Sequence, residues 1–223
     1  MTSTNPPTTT KRGYTTPTFQ TTRLAFTPLT QNDAAPLHEL RSAPEVMKWS
    51  RQGRPDVSVA ETQKWLDGLL TEAQAEVADG LTTTQQGSDG LGSDPRMDVV
   101  FAVREVAHVE SGAQEDRIVA QAGIKKGKSE VTGAERFEIG YMFVPAVWGK
   151  GYASEAVKGM VQWWFSVYPE VGRGGITEGV YSIVAKTNPA SLRVMEKCGF
   201  RVVAEGVDDH GKDIVEFRVL LDS

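Results

Sequence analysis

Cysteine is almost missing from this chain of 223 residues: Cys198 stands alone, beside three dispersed histidines at 38, 108 and 210. One thiol excludes an internal disulfide and fits a reducing compartment such as the cytoplasm. Four scattered ligating side chains match no metal-site spacing. No apolar run is long enough to span a bilayer. The opening segment "MTSTNPPTTTKRGYTTPT" lacks the apolar centre of a secretory signal. It also lacks acids, but with only Lys11 and Arg12 as bases it reads as a disordered tail over residues 1–18. Basic excess is missing too. The net charge of −5 supplies no broad positive field for nucleic acid or an anionic membrane. Internal repeats are absent.

What remains is ordinary globular material, 39% hydrophobic and 24% charged, which is enough chain for one domain over residues 19–223. "TTRLAFTPLTQNDAAPLHELRSAPEVMKW" predicts a short strand and then a helix, capped by Thr30 or Asn32, with Leu37 and Leu40 inward. "VSVAETQKWLDGLLTEAQAEVA" predicts a second helix with Val59, Trp65, Leu66, Leu69 and Leu70 inward. Residues 79–96 are Gly/Ser/Thr/Gln-rich and predict a flexible insertion, because such a composition buries too little apolar area to order itself. Strands follow at 98–106, 117–126 and 136–144, the last alternating with Ile139, Tyr141 and Phe143 on one face. A helix over 150–165 presents Ala153, Val157, Met160, Val161, Trp164 and Phe165 together. "GVYSIVAKT" predicts a strand, and "NPASLRVMEKC" a helix with Asn188 as cap and Pro189 at its first position. A terminal hairpin closes the chain, with Val215, Phe217, Val219 and Leu221 inward. The order is that of an α/β (α+β) domain with a mostly antiparallel sheet.

The stretch "FVPAVWGKGYASEAV" places Gly149, Lys150 and Gly151 where a strand hands over to a helix. Helix N-termini carry unpartnered N–H groups and partial positive charge. Glycines let an oxyanion reach those groups, so the turn suits a phosphate or pyrophosphate. A P-loop fails here, because Gly149-Lys150 is followed by Gly151 rather than Ser or Thr. The alternative Gly127-Lys128-Ser129 has Ala122 where the first glycine belongs. A dinucleotide fingerprint fails at Ser154. On the turn alone, a glycine-rich loop without a ligand stays open.

The turn, preceded by "EIGYMFVP" and followed by "NPASLRVMEKCGF", resembles the GNAT superfamily of N-acetyltransferases, closest to its ribosomal-protein-alanine N-acetyltransferase branch. The resemblance covers roughly residues 21–221. Trp148 stands where the wider superfamily usually has Gln or Arg. The resemblance implies a sheet splayed at the acyl-CoA site and direct transfer of an acetyl group from acetyl-CoA to a primary amine. It implies pyrophosphate binding by the backbone of Gly149, Lys150, Gly151, Tyr152 and Ala153. It implies pantetheine pairing by the strand end at Met142, Phe143 and Val144, with an N–H near Val144 at the thioester oxygen. Glu138 is the candidate base, on the strand face of Gly140 and Met142. The usual tyrosine acid is replaced by Met195. The branch's N-x-x-S pattern is matched instead by Asn188, at the cofactor, and Ser191, beside the thiol. Cys198 reads as a small buried hydrophobe rather than a nucleophile. Trp65 reads as core and Trp49 as a wall of the acceptor pocket. The alternative is an acyl-CoA-binding module without turnover. The amine, whether protein N-terminus or small molecule, and the choice between monomer and homodimer stay open.

Overall fold

The computed structural model describes residues 18–82, 99–106, 117–167 and 179–220. The expected tail, up to residue 17, and the expected insertion beyond residue 82 lie outside these; the first residues of that insertion, 79–82, instead continue a helix. Eight strands form one sheet in the order β1-β2-β3-β4-β5-β6-β8-β7. They are β1 Phe19–Gln20, β2 Leu24–Pro28, β3 Val99–Glu105, β4 Ala120–Lys128, β5 Glu135–Phe143, β6 Val180–Ala185, β7 Arg201–Val207 and β8 Asp213–Val219. Every neighbouring pair is antiparallel except β5 and β6. The helices are α1 Ala34–Arg41, α2 Pro44–Met47, α3 Val59–Thr82, α4 Tyr152–Val167 and α5 Pro189–Lys197.

Local signals explain most of these boundaries. Thr30 and Asp33 form a reciprocal capping box ahead of α1, whose Leu37 and Leu40 are fully buried. Asn188 caps α5 by accepting from the Ser191 N–H at 3.2 Å, with Pro189 in the first turn. α4 buries Val157, Met160, Trp164 and Phe165 as its periodicity predicts, and also Trp163. Trp163 stacks on Phe19 at 5.2 Å and meets Phe101 edge-on, tying the start of the sheet to α4. α3 starts at Val59, which is 43% exposed rather than inward. Its first-turn position points it past the core that Leu66 enters two turns later. β8 departs further from simple alternation: Ile214, Val215, Glu216 and Phe217 are all buried. The strand lies between β6 and β7.

The segment between α2 and α3 is fixed by a buried polar network. Arg41, only 2% exposed, donates from Nε to Asp56 at 2.7 Å, and Thr62 and Gln52 donate to the same carboxylate at 2.8 Å each. Burial acts to raise the Asp56 pKa, but the hydrogen bonds from Arg41, Gln52 and Thr62 outweigh it and hold the carboxyl below its ordinary value. Removing one partner of a buried pair costs about 3–5 kcal/mol. Asp56→Ala is expected to lose stability on that scale in urea unfolding at neutral pH. A depressed folded-state pKa contributes stability above the unfolded value of about 4 and loses it as pH falls through the folded value. The gap between wild type and variant should therefore narrow only below about pH 4. A gap constant into stronger acid would show that the Asp56 charge contributes nothing.

Candidate functional site

β5 and β6 pair at only two registers, Phe137 with Val180 and Glu138 with Tyr181. Beyond them β5 runs on to Phe143 and β6 to Ala185 with no ladder between, so the sheet opens into a V. The Ser182 hydroxyl donates to the Ile139 carbonyl at 3.3 Å near its vertex. Backbone groups alternate in direction along an antiparallel strand. The Val144 N–H donates to the Val119 carbonyl at 2.9 Å, toward β4. Met142 and Gly140 share that direction, whereas Ile139, Tyr141 and Phe143 turn toward the V. This corrects the strand-end expectation. Among Met142, Phe143 and Val144 only Phe143 faces the gap, and its carbonyl already accepts the Trp148 indole N–H at 2.8 Å. The Val144 N–H, expected at a thioester oxygen, is bonded within the sheet.

At the mouth of the V lies the glycine turn. Gly149 and Gly151 have φ of +77° and +79°, a region that side chains with a Cβ rarely adopt. A Cβ at Gly149 would meet nothing within 4 Å, so its backbone faces open space. Lys150 is exposed, and Tyr152 and Ala153 are half-buried in the first turn of α4. The turn is held from below by Arg23, which sequence reasoning missed. Arg23 donates to the Lys150 carbonyl at 3.0 Å, pairs with Glu155 at 2.6 Å and lies 4.4 Å over the Tyr152 ring. Burial opposes ionisation of Glu155, yet the hydrogen bonds from Thr21 and Arg23 keep its carboxyl below the ordinary value.

On the other side of β5 the V opens into a groove of about 980 Å³. Its floor is set by register: Glu138 faces Lys125, Gly140 faces Gly123 and Met142 faces Gln121. A Cβ at Gly123 would come within 2.5 Å of the Val99 carbonyl, so packing holds that position to glycine. Gly140 is different: it is exposed in the middle of a central strand, and a Cβ there would meet nothing within 4 Å. The Gln121 Oε1 lines this groove, sealed from solvent and with no hydrogen-bond partner among the described residues. Burial pushes the Glu138 pKa up, while Arg136, 3.5 Å away, and Arg51 oppose the shift. Arg136 is pinned by Glu216 at 2.7 Å, and Glu216 also accepts from the Ser129 hydroxyl and the Glu130 N–H. That is why Glu216 is buried. Trp49, 40% exposed, lines the groove as expected. Trp65 lines it too, besides packing against the core, with the Arg41 guanidinium 3.9 Å over its ring.

α5 brings Ser191 to the V from the far side, where it lines the cavity together with Tyr141. No hydrogen bond of good geometry closes on the buried Tyr141 hydroxyl. Burial pushes its pKa up to about 12, with Ser191 as the polar neighbour opposing the shift. The phenol therefore keeps its proton at neutral pH. Asn188 commits its Oδ1 to the capping bond from the Ser191 N–H. Met195 is fully buried in the core. The half-buried Cys198 thiol donates to the Ser154 carbonyl at 3.4 Å, and burial pushes its pKa up, which disfavours the nucleophilic thiolate.

An interrupted sheet beside a left-handed glycine turn is what the resemblance implied, and comparison with known proteins agrees. Residues 23–201 match the model of the acetyltransferase (GNAT) domain family, and the chain belongs to that family. Solved structures of similar fold include an acetyltransferase (GNAT family) from Bacillus anthracis, 21% identical, with TM-score 0.62, covering 91% of this chain and 98% of that one. The ribosomal-protein-S5-alanine acetyltransferase from Vibrio fischeri is 15% identical with TM-score 0.61, covering 92% and 97%. A spermidine N-acetyltransferase from Vibrio cholerae, in complex with CoA and spermine, is 16% identical with TM-score 0.57, covering 90% and 96%. Among the described residues no helix is long and apolar enough to cross a membrane, and no side-chain group is suited to hold a metal ion.

The open floor is testable. Gly140→Val adds bulk where nothing packs and suits strand propensity. The variant is expected to melt at or slightly above the wild-type temperature. If the groove receives an acceptor, its KM should rise at least several-fold. A marked loss of stability would mean that Gly140 serves packing rather than a ligand.

Proposed function

We propose that the protein is an acetyl-CoA-dependent N-acetyltransferase acting on a primary amine. The observation that carries this reading is the V between β5 and β6, which leads from the glycine turn to a groove floored by Gly140 and overlooked by Glu138. The residues fit an acyl-CoA. The N–H groups of Gly149–Ala153 suit a pyrophosphate, and the open backbone of Tyr141, with the Phe143 N–H, suits the amides of a pantetheine arm, as an added strand would. When bound, acetyl-CoA supplies an activated acyl group for transfer to nitrogen.

The chain's own residues divide the proton traffic. Glu138 takes the proton that the amine loses, directly or through water over Gly140. Burial raises its pKa above the ordinary carboxylate value, which strengthens it as a base. Arg136 and Glu216 position that carboxylate. Ser191 stands where a departing thiolate needs a proton, and Tyr141, which stays protonated behind it, supports the serine as donor. Cys198 takes no part. The competing reading, acyl-CoA binding without turnover, draws on Met195 lying in the core where many relatives have a tyrosine. Release of free CoA across an amine panel separates the two.

Acetyl-CoA is expected to raise the melting temperature of the protein by mass action on the folded state. Gly151→Val forces a β-branched residue into φ of +79° and should abolish that shift in a protein that still folds. An unchanged shift would remove the turn from the phosphate site. Glu138→Gln is expected to lower kcat/KM by about 10²-fold near neutral pH, the low end for general acid–base assistance. The deficit should shrink above the amine's own pKa, where no proton need be removed before attack. Ser191→Ala should cost about 10²-fold or less, because a thiolate leaves readily without an acid. Full turnover in Ser191→Ala, with chemistry rate-limiting, would reduce the serine to a residue of the first helical turn.

A further inference from the structure

The groove is charged opposite to the chain. The whole protein carries −5, yet the charged groove-lining residues are Arg41, Arg51, Lys125, Lys126 and Lys128 against Glu130 and Glu138. Pairing sharpens the contrast. Both carboxylates already have an arginine: Glu130 has Arg51 at 3.1 Å, and Glu138 has Arg136 at 3.5 Å. Arg41 is consumed by Asp56, and Lys126 meets Glu135 at the rim at 3.2 Å. Lys125 and Lys128 are left, and Lys128 is exposed at the end of its strand. Lys125 is half-buried on the groove floor, directly opposite Glu138 in the ladder, and no carboxylate among the described residues forms an ion pair with it. A partly desolvated cation without a counter-ion is costly unless something supplies one.

The ladder gives a ruler. At roughly 3.3 Å per residue, Gly140 lies about 7 Å along the strand from both Glu138 and Met142. An amine over Gly140 is flanked by the Glu138 carboxylate on one side. On the other is Met142, which faces Gln121 in the ladder. Lys125 and Arg51 then lie beyond the amine, away from the V. A polyamine finds no free carboxylate there beyond the base itself.

We propose that the acceptor is an elongated primary amine with an anionic group roughly 7–13 Å from its nitrogen, the amine sitting over Gly140 beside Glu138 and the anion on Lys125, with Arg51 behind it. This rests on the acetyltransferase reading and names its substrate class.

The test compares C-terminally amidated tripeptides that start with alanine and carry Asp, Ser or Lys at positions two and three, together with spermidine. Wild-type kcat/KM should fall in the order Asp, Ser, Lys, with the Asp peptide ahead of the Ser peptide by about 3–10-fold. The margin should shrink as salt is raised. Lys125→Met should bring the Asp-to-Ser ratio close to one, and Lys125→Glu should invert it. A preference of the wild type for the Lys peptide or spermidine, or an unchanged ratio in Lys125→Met, overturns the proposal. The same peptides titrated by calorimetry into CoA-loaded protein report the charge preference without turnover. Binding selective for acidic peptides with no CoA release would sink the acetyltransferase reading and keep the charge assignment. Turnover without acid preference would do the reverse.

Discussion

The refusal of β5 and β6 to pair beyond Glu138 and Tyr181 governs this site. Unpaired backbone inside a sheet is expensive, because each N–H and C=O left without a partner forfeits a hydrogen bond. The protein limits that cost at both ends of the V. Ser182 takes the Ile139 carbonyl at the vertex, and Trp148 takes the Phe143 carbonyl at the mouth. Between them the groups of Tyr141 stay open to an outside partner. A tryptophan in the turn thus serves the strand that precedes it, which gives Trp148 a structural reason independent of any anion.

Keeping the V open needs rigid walls. On the β6 side the wall is the full ladder of β6 with β8. On the β5 side it is the long ladder with β4. Arg136 and Glu216 bridge the two walls below the vertex, since one residue stands on β5 and the other on β8. A buried ion pair is weak evidence for stability in itself. Here it does something more specific: it holds Glu138 by the Arg136 guanidinium and the β4–β5 turn by the Glu130 N–H. Glu138, the turn and the wall are thus linked through one ion pair.

Local chemistry was legible in the sequence, and long-range pairing was not. The glycine turn, the Asn188-Pro189 cap, the α4 face and Glu138 on the Gly140 side of its strand all follow from spacing and residue type, and the structure agrees with each. Arg23, Arg136 and Glu216 escaped because each matters through a partner far along the chain: Arg23 with Glu155 lies 132 residues away and Arg136 with Glu216 lies 80. The direction of backbone groups at Met142 and Val144 escaped for another reason. A period of two tells which side chains share a face, but whether their N–H groups point to β4 or β6 depends on register, which only the paired strand fixes. Val59 failed because helical periodicity does not tell where a helix first meets its core.

The groove shows why net charge is a poor guide to a substrate. An acidic chain suggests a cationic acceptor at long range, and steering fields do act at that range. At contact, what counts is which charges are still uncommitted once internal pairs have formed. The fold pairs Asp56, Glu130, Glu135 and Glu138 with arginine or lysine and leaves over the half-buried Lys125 and, exposed at the strand end, Lys128. An anionic group brought to this groove would complete the set of pairs, whereas a further cation would oppose it. The same pairing sets the environment of Glu138. Arg136 holds its charge in check without neutralising it, because at 3.5 Å and shared with Glu216 the guanidinium offsets only part of the burial that raises the carboxyl's pKa.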